Sequence, residues 1–402
     1  MRVSTRAVGA SLVAALVVAG CSGDIQEAPA RTTARPAPPP DRAIATTSAP
    51  TSVAPDGPEV TVDGVPEPVR ELVTQLYRGE QPPAADDVAA ALAGAEVPDG
   101  PVEVSGVTGT WDGTPYAVLT AGDDLTLAVG PDDRWRVVGG VWPSLGVAEP
   151  ALGGPRHVLL IGSDAREQQG QRVDRLRADS LQVVGVDGTG GGGVLGIARD
   201  AWVPMPKGGY AKINQAMVQA GPEGQLETVA RVTGLPLEGY VLVGFEGFKA
   251  FVDEWGGVRI DAPRAFDTFK EGEQRLTGYW LLRWARHRKT LPGGDFDRSF
   301  HQGLVLAAMG LKVRADGPLG LPEVLDLVQQ HMQTDLDAEA VITLAAWAYL
   351  ADPGRFGHEV AKGSFDWSAD GQSIVRLDDA ARASFEDFAD GNLEPPAFGA
   401  DD

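Results

Sequence analysis

Acid and base alternate at four places in the chain: GSDAR (Gly162–Arg166), RLRADS (Arg175–Ser180), IARD (Ile197–Asp200) and WARHRKTLPGGDFDRSFHQ (Trp284–Gln302). The first three punctuate short apolar runs, so if those runs are neighbouring strands, Asp164, Arg177, Asp179, Arg199 and Asp200 converge on one rim. Two carboxylates with no other metal-binding group beside them suit a hard cation that completes its shell with phosphate oxygens and water. Arginines suit the phosphate, because guanidinium presents a planar fork of donors. In the fourth stretch Arg286, Arg288, Lys289 and Arg298 crowd together with Asp295 and Asp297 between them, and Arg298 and Gln302, four apart, share one face of a helix. These charges either hold an anion or pair among themselves as surface salt bridges, each worth little.

The segments that must position these groups alternate in period. HVLLIGSD, SLQVVGVD and GVLGIARD read as buried strands that present polar groups at their ends. GQLETVARVTG, FEGFKAFVDEWGG, LTGYWLLRWARHR, FDRSFHQGLVLAAMGLKV, LPEVLDLVQQHM and AEAVITLAAWAYL read as helices. The expected fold is α/β, a central mixed sheet covered by helices on both faces over residues 155–388. A smaller α+β accessory domain precedes it at 59–152, where helical VPEPVRELVTQLYRG gives way to short runs of an antiparallel meander. An acidic tail occupies 389–402. GTGGGG (Gly188–Gly193) imitates a phosphate-binding loop, but a strand rather than a helix follows it, so it reads as a strand-to-strand connection.

A formal net charge of −22, from 56 acidic and 34 basic residues, excludes a nucleic-acid partner, which needs a basic face. Five scattered histidines and one cysteine in 402 residues exclude a zinc site or an internal disulfide. That cysteine closes MRVSTRAVGASLVAALVVAGC, whose apolar run is too short to span a bilayer comfortably and reads as a signal segment, 1–20. Small residues before Cys21 resemble a bacterial lipobox, in which the thiol is lipidated; an ordinary signal peptide or an uncleaved anchor are the alternatives. Residues 21–58, rich in Pro, Ala and Thr, read as an extended tether.

HVLLIGSDAR, RADS, IARD, AKIN, GFEGFKAFVDEWGGVRIDAP and RHRKTLPGGDFDRSFHQ, in that order, resemble the LytR-CpsA-Psr family of cell-wall ligases over about His157–Val313. The resemblance implies transfer of a glycopolymer from a polyprenyl pyrophosphate carrier to peptidoglycan, on the outer face of the bacterial cytoplasmic membrane and with Mg²⁺, or Mn²⁺ in its place. It implies that Asp164 and Asp179 hold the metal, and that Arg177, Arg199, Arg286, Arg288 and Arg298 grip the pyrophosphate beside Gln302. It also implies an apolar tunnel lined from Val183–Val186, Tyr240–Phe251 and Leu304–Leu311. Asp200 is the expected acceptor of the attacking hydroxyl's proton. The chain departs from the family pattern in three ways: Ala198 stands where a Pro is usual, His301 where an Arg is frequent, and Cys21 stands in for a transmembrane helix. His301 in that place would weaken phosphate binding or make it pH-dependent. A polyprenyl pyrophosphate hydrolase and a non-catalytic precursor-binding lipoprotein remain the alternative functions.

Overall fold

A computed structural model describes residues 57–287 and 295–394. The signal segment, Cys21, nearly all of the tether, Arg288 and the end of the acidic tail lie outside the described residues. The chain first forms β1 (Val60–Asp63), α1 (Glu67–Tyr77) and α2 (Asp86–Leu92). A meander follows: β2 (Val102–Trp111), β3 (Thr114–Ala121), β4 (Asp124–Val129), β5 (Arg136–Trp142) and β6 (Val147–Ala151), antiparallel throughout, with β1 parallel to β2 at its edge. In α1, Val69, Leu72, Val73, Leu76 and Tyr77 recur at helical spacing and are all buried.

The meander is apolar on both faces, as the alternation of its strands requires. Ala117, Leu119, Ala128 and Val137 pack towards α1, whereas Tyr116, Val118, Leu125, Leu127 and Val129 share a core with later parts of the chain. The Trp111 indole donates to the Leu336 carbonyl at 3.0 Å, and the Trp347 indole donates to the Gly153 carbonyl at 3.0 Å.

The second half builds on β7 (Arg156–Ser163), β8 (Ala178–Val186) and β9 (Gly192–Gly196), the last two joined through the glycine-rich run as expected. Next come a ribbon of β10 (Trp202–Pro204) and β11 (Tyr210–Lys212), then α3 (Gln215–Thr233), β12 (Leu237–Val243) and α4 (Phe245–Glu254). A second ribbon, β13 (Val258–Ala262) and β14 (Gly272–Leu276), leads to α5 (Gly278–Ala285), α6 (Asp295–Asp316), α7 (Leu321–His331), β15 (Gln333–Thr334) and α8 (Ala338–Leu350). The chain then adds β16 (Phe356–Val360), a hairpin of β17 (Gly363–Trp367) and β18 (Ser373–Leu377), and α9 (Asp379–Asp387).

The resulting sheet runs β15-β12-β7-β8-β9-β16 and is mixed: β12/β7 and β9/β16 pair parallel, the rest antiparallel. These directions put the C-terminal ends of β7, β9, β12 and β16 and the N-terminal end of β8 on one rim. Leu159, Ile161, Leu181, Val183, Tyr240 and Leu242 face the core that includes Met217 and Val229 of α3. Their alternates, Val158, Leu160, Val184, Val186 and Val241, face a cavity of 510 Å³ on the other side. That cavity is closed by α6, α7, α8 and Trp111 of the meander, and its lining is overwhelmingly Val, Leu, Phe, Met and Ala. Of the strand stretches expected to line a tunnel, Val184, Gly185, Val186, Val241 and Val243 do so, whereas Val183 and Tyr240 point the other way, because a strand alternates its side chains.

Candidate active site

The rim is built from backbone outward. At the end of β7, the Asp164 amide donates to the Arg177 carbonyl at 3.1 Å, and Asp164 Oδ1 accepts from the Arg177 amide at 3.0 Å. The segment Ala211–Asn214 ties the other two loops together: the Asn214 amide donates to the Arg199 carbonyl, and the Asn214 carbonyl accepts from Ala178, both at 3.3 Å. Lys212 from the same segment lies 3.1 Å from Asp200. Ala198 makes the turn by accepting from the Ala201 amide at 3.0 Å.

Two helices bring the remaining charges. A Cβ on Gly278 would lie 2.2 Å from the Lys249 carbonyl oxygen, so only glycine lets α5 pack this closely on α4. Asp253 of α4 also accepts from the Gly278 amide at 2.7 Å, capping α5 and fixing where Arg286 emerges. On α6 one face carries Asp295, Arg298, Ser299 and Gln302 towards β8 and β9, and its continuation, Val305, Leu306, Met309 and Val313, lines the cavity. One helix thus joins the charged rim to the apolar interior. Gln182 of β8, almost fully buried, clamps it by donating to the Ser299 carbonyl at 3.2 Å, Ser299 Oγ at 3.0 Å and Gln302 Oε1 at 3.3 Å.

The charges form one network. Arg199 donates to Asp179 Oδ2 at 2.5 Å and lies 3.5 Å from Asp295, while Arg298 lies 2.7 Å from Asp295 and donates to the Asp179 carbonyl at 3.3 Å. Burial opposes the Arg199 charge, but Asp179, Asp295 and Asp200 outweigh it and its pKa rises. Burial pushes the Asp295 carboxyl up against the pull of Arg298 and Arg199. Burial and then the Asp179 charge push Asp164 up too, with the Arg177 amide, Arg177 and Arg199 opposing. Arg286 differs: its guanidinium lies 4.1 Å over the ring of Phe245, and burial followed by repulsion from Arg166 lowers its pKa. Among the described residues no carboxylate stands within ion-pair distance of it.

The rim thus gathers Asp164, Asp179, Arg199, Asp200, Arg286, Arg298 and Gln302 as the sequence suggested. Arg177 meets Asp164 through its backbone, and its side chain is exposed. His301 corrects an expectation. It is buried, stacked on Trp284 (4.4 Å) and Phe266 (4.9 Å), and burial lowers its pKa to about 4. It is neutral at physiological pH and directed to an aromatic cluster, so it brings no pH-dependent charge to the rim. Phe245 falls in a stretch expected to line the tunnel, and Arg166 and Lys212 fall inside GSDAR and AKIN, but none of them carries an expected role at the rim; for Gln182 a polar residue inside the apolar run LQVVGV is the one available signal.

Asp164 and Asp179 present oxygen donors only, repel one another, and leave the buried Asp179 Oδ1 without a hydrogen-bond partner. Such a pair fits a hard divalent cation that takes its other ligands from phosphate and water. Among the described residues no cluster of three metal-binding side chains occurs.

A mixed sheet with a charged rim at the mouth of an apolar cavity is the frame of this site. The chain belongs to the LytR_cpsA_psr family, whose sequence pattern matches residues 146–355. It is 32% identical over 200 residues to the polyisoprenyl-teichoic acid–peptidoglycan teichoic acid transferase TagU of Oceanobacillus iheyensis, covering 47% of this chain and 61% of that protein. It is 35% identical over 170 residues to TagV of Bacillus subtilis, a transferase of the same name, covering 39% of this chain and 43% of that one. The match therefore spans less than two thirds of the length of these relatives. A solved structure of TagT bound to LI-WTA shares the fold, with a TM-score of 0.50, 22% identity, and coverage of 60% of this chain and 92% of that one.

Proposed function

We propose that this protein transfers a glycopolymer from a polyprenyl pyrophosphate carrier to peptidoglycan, leaving a phosphodiester link. The observation that carries this reading is the apolar cavity with Asp179, Arg286, Arg298 and Gln302 at its charged end. Its volume lies within the roughly 300–1,000 Å³ usual for ligand pockets. The prenyl tail occupies the cavity and the pyrophosphate lies among Arg199, Arg286 and Arg298, with Arg177 and Arg288 as further contacts. A sugar hydroxyl attacks the phosphorus nearer the glycan, forming an oxygen–phosphorus bond as polyprenyl phosphate leaves. Asp200 takes the hydroxyl proton, held by Lys212. Such chemistry is mostly positioning and electrostatics. Mg²⁺ or Mn²⁺ on Asp164 and Asp179 would neutralise phosphate charge. Arginine with no carboxylate partner is what the developing charge on the leaving phosphate calls for, and Arg286 has that character. The site lies outside the cytoplasmic membrane, with the chain tethered through a lipid on Cys21.

The test is to extract the purified protein with organic solvent and seek polyprenyl phosphates by mass spectrometry, then to follow turnover of polyprenyl pyrophosphate-linked glycan with and without peptidoglycan. Lipid in the parent, depleted in Arg286→Ala, Arg298→Ala, together with a peptidoglycan-linked product, is the expected result. Release of polyprenyl phosphate that ignores peptidoglycan would make the protein a hydrolase. Bound lipid without turnover would make it a binding lipoprotein.

A further inference from the structure

We propose that the hairpin β17–β18, with the start of α6, forms a stacking platform for the acceptor glycan strand. This inference rests on the transfer reading above. Trp367 and Phe365 are 68% and 64% exposed, the two most exposed large apolar side chains among the described residues. Two residues apart on one strand, they stand on the same face, roughly 7 Å apart along it. Exposed aromatics grouped in this way mark an interaction surface rather than chance.

Phe365 meets Phe296 of α6 with ring centroids 5.5 Å apart, and Phe296 sits between Asp295 and Asp297. Phe300, one turn further along α6 and 36% exposed, extends the strip. On its other strand the hairpin is tied to the site itself: the Val375 amide donates to the Asp200 carbonyl at 2.9 Å, and Val375 bridges to Ala201. The turn is held by the Gly371 and Gln372 amides on Ser368, each at 2.9 Å, and Ile374 and Val375 are buried, so the aromatics are presented on a fixed support. Phe365 and Phe296 meet edge-to-face, and a group of exposed aromatic rings on a fixed support offers faces on which the apolar faces of sugar rings stack.

The side of the rim decides which glycan lies there. A second pocket, of 430 Å³, adjoins the apolar cavity through Phe245, Leu282 and Arg286, so the donor continues from its tail into that pocket on the α4–α5 side. The hairpin follows β16, at the opposite edge of the sheet from β12 and α4, and borders Asp200, the proposed proton acceptor. Attack from the Asp200 side onto a donor held on the Arg286 side places the incoming hydroxyl on the platform. The hairpin also lies beyond residue 355, where the family pattern ends, which suits a surface that selects this chain's own acceptor.

The experiment sediments the full chain with purified peptidoglycan sacculi stripped of secondary polymers, and separately with anionic phospholipid vesicles. It compares the parent, Phe365→Ala/Trp367→Ala, Arg286→Ala, and Val218→Ala as an exposed apolar control on α3. The double variant should bind sacculi roughly tenfold more weakly and raise the KM for acceptor strands by a similar factor, with an unchanged melting temperature. Sacculus binding equal to that of the parent would overturn the platform. Loss of vesicle binding with sacculus binding retained would also overturn it, and make the hairpin a membrane contact. Failure of the transfer reading shows separately, as normal donor turnover by Arg286→Ala.

Discussion

Arg286 and Asp164 are the two residues whose surroundings make the sharpest demands. Arg286 is desolvated over Phe245 with no carboxylate within ion-pair distance among the described residues, and only the more distant Asp179 and Asp164 favour its charge, so on the proposed reading its removal would cost the fold little and the transition state much. Arg286→Ala should lower donor turnover by about 100- to 1,000-fold, the usual loss for one preorganised donor, with the melting temperature nearly unchanged. Arg286→Lys should recover only part, since ammonium lacks the planar fork. Asp164 carries a folded pKa raised by burial and by Asp179. A carboxyl raised in this way favours folding below its unfolded pKa, and the benefit fades as pH climbs through the folded pKa. At neutral pH without divalent metal, Asp164→Asn should therefore melt above the parent. If Asp164 helps to hold a divalent cation as proposed, Mg²⁺ should raise the melting temperature of the parent and leave that of Asp164→Asn unchanged. A variant that still responds to Mg²⁺ would remove Asp164 from the metal site. These residues were legible because charge types at strand ends carry their chemistry openly. Gln182 was not, since a buried amide that clamps one helix has no spacing rule of its own.

Among the elements, α6 does most to shape the site, and its sequence announced the helix without announcing what its apolar face meets. Periodicity separates a buried face from an exposed one, but a face lining a cavity reads the same as one packed in a core. Gly310 separates the two in practice: it lines the cavity, and a Cβ built there meets nothing within 4 Å. Gly310→Phe should raise stability by roughly 0.3–0.5 kcal/mol through helix propensity and, on the proposed reading, still deplete the co-purifying lipid; calorimetry and mass spectrometry together check this. The side of α6 facing β16 leaves His358 half-buried, stacked on Phe300, with neither ring nitrogen hydrogen-bonded. Burial, then His301, lowers its pKa to about 4 against an ordinary value near 6.5. A base depressed in the fold contributes full stability above its unfolded pKa and forfeits it as pH falls towards the folded one. His358→Leu should thus gain on the parent in melting temperature between pH 6.5 and 4, and hold a constant difference above and below that window.

At the scale of the whole molecule, the pattern of elements divides the chain near residue 152, where an antiparallel meander gives way to alternating strands and helices, and the packing crosses that line. The accessory segment looked self-sufficient because its alternating runs account for one buried face; the second face, Tyr116, Val118 and Leu127, has no partner nearby in sequence. A fragment beginning at Pro155 should therefore expose Trp347 and Val341, and express as aggregate or melt without a cooperative transition. A soluble fragment with sharp cooperative unfolding would show the halves to be independent. The cavity enclosed by both has a further consequence. Its volume of 510 Å³ sets a limit on the length of tail that fits inside. On the transfer reading proposed above, the far end of a tail longer than that limit would remain outside the protein. The protein would then catch its substrate without extracting it, drifting with the lipid in two dimensions and letting go by sliding the chain back rather than by expelling it into water.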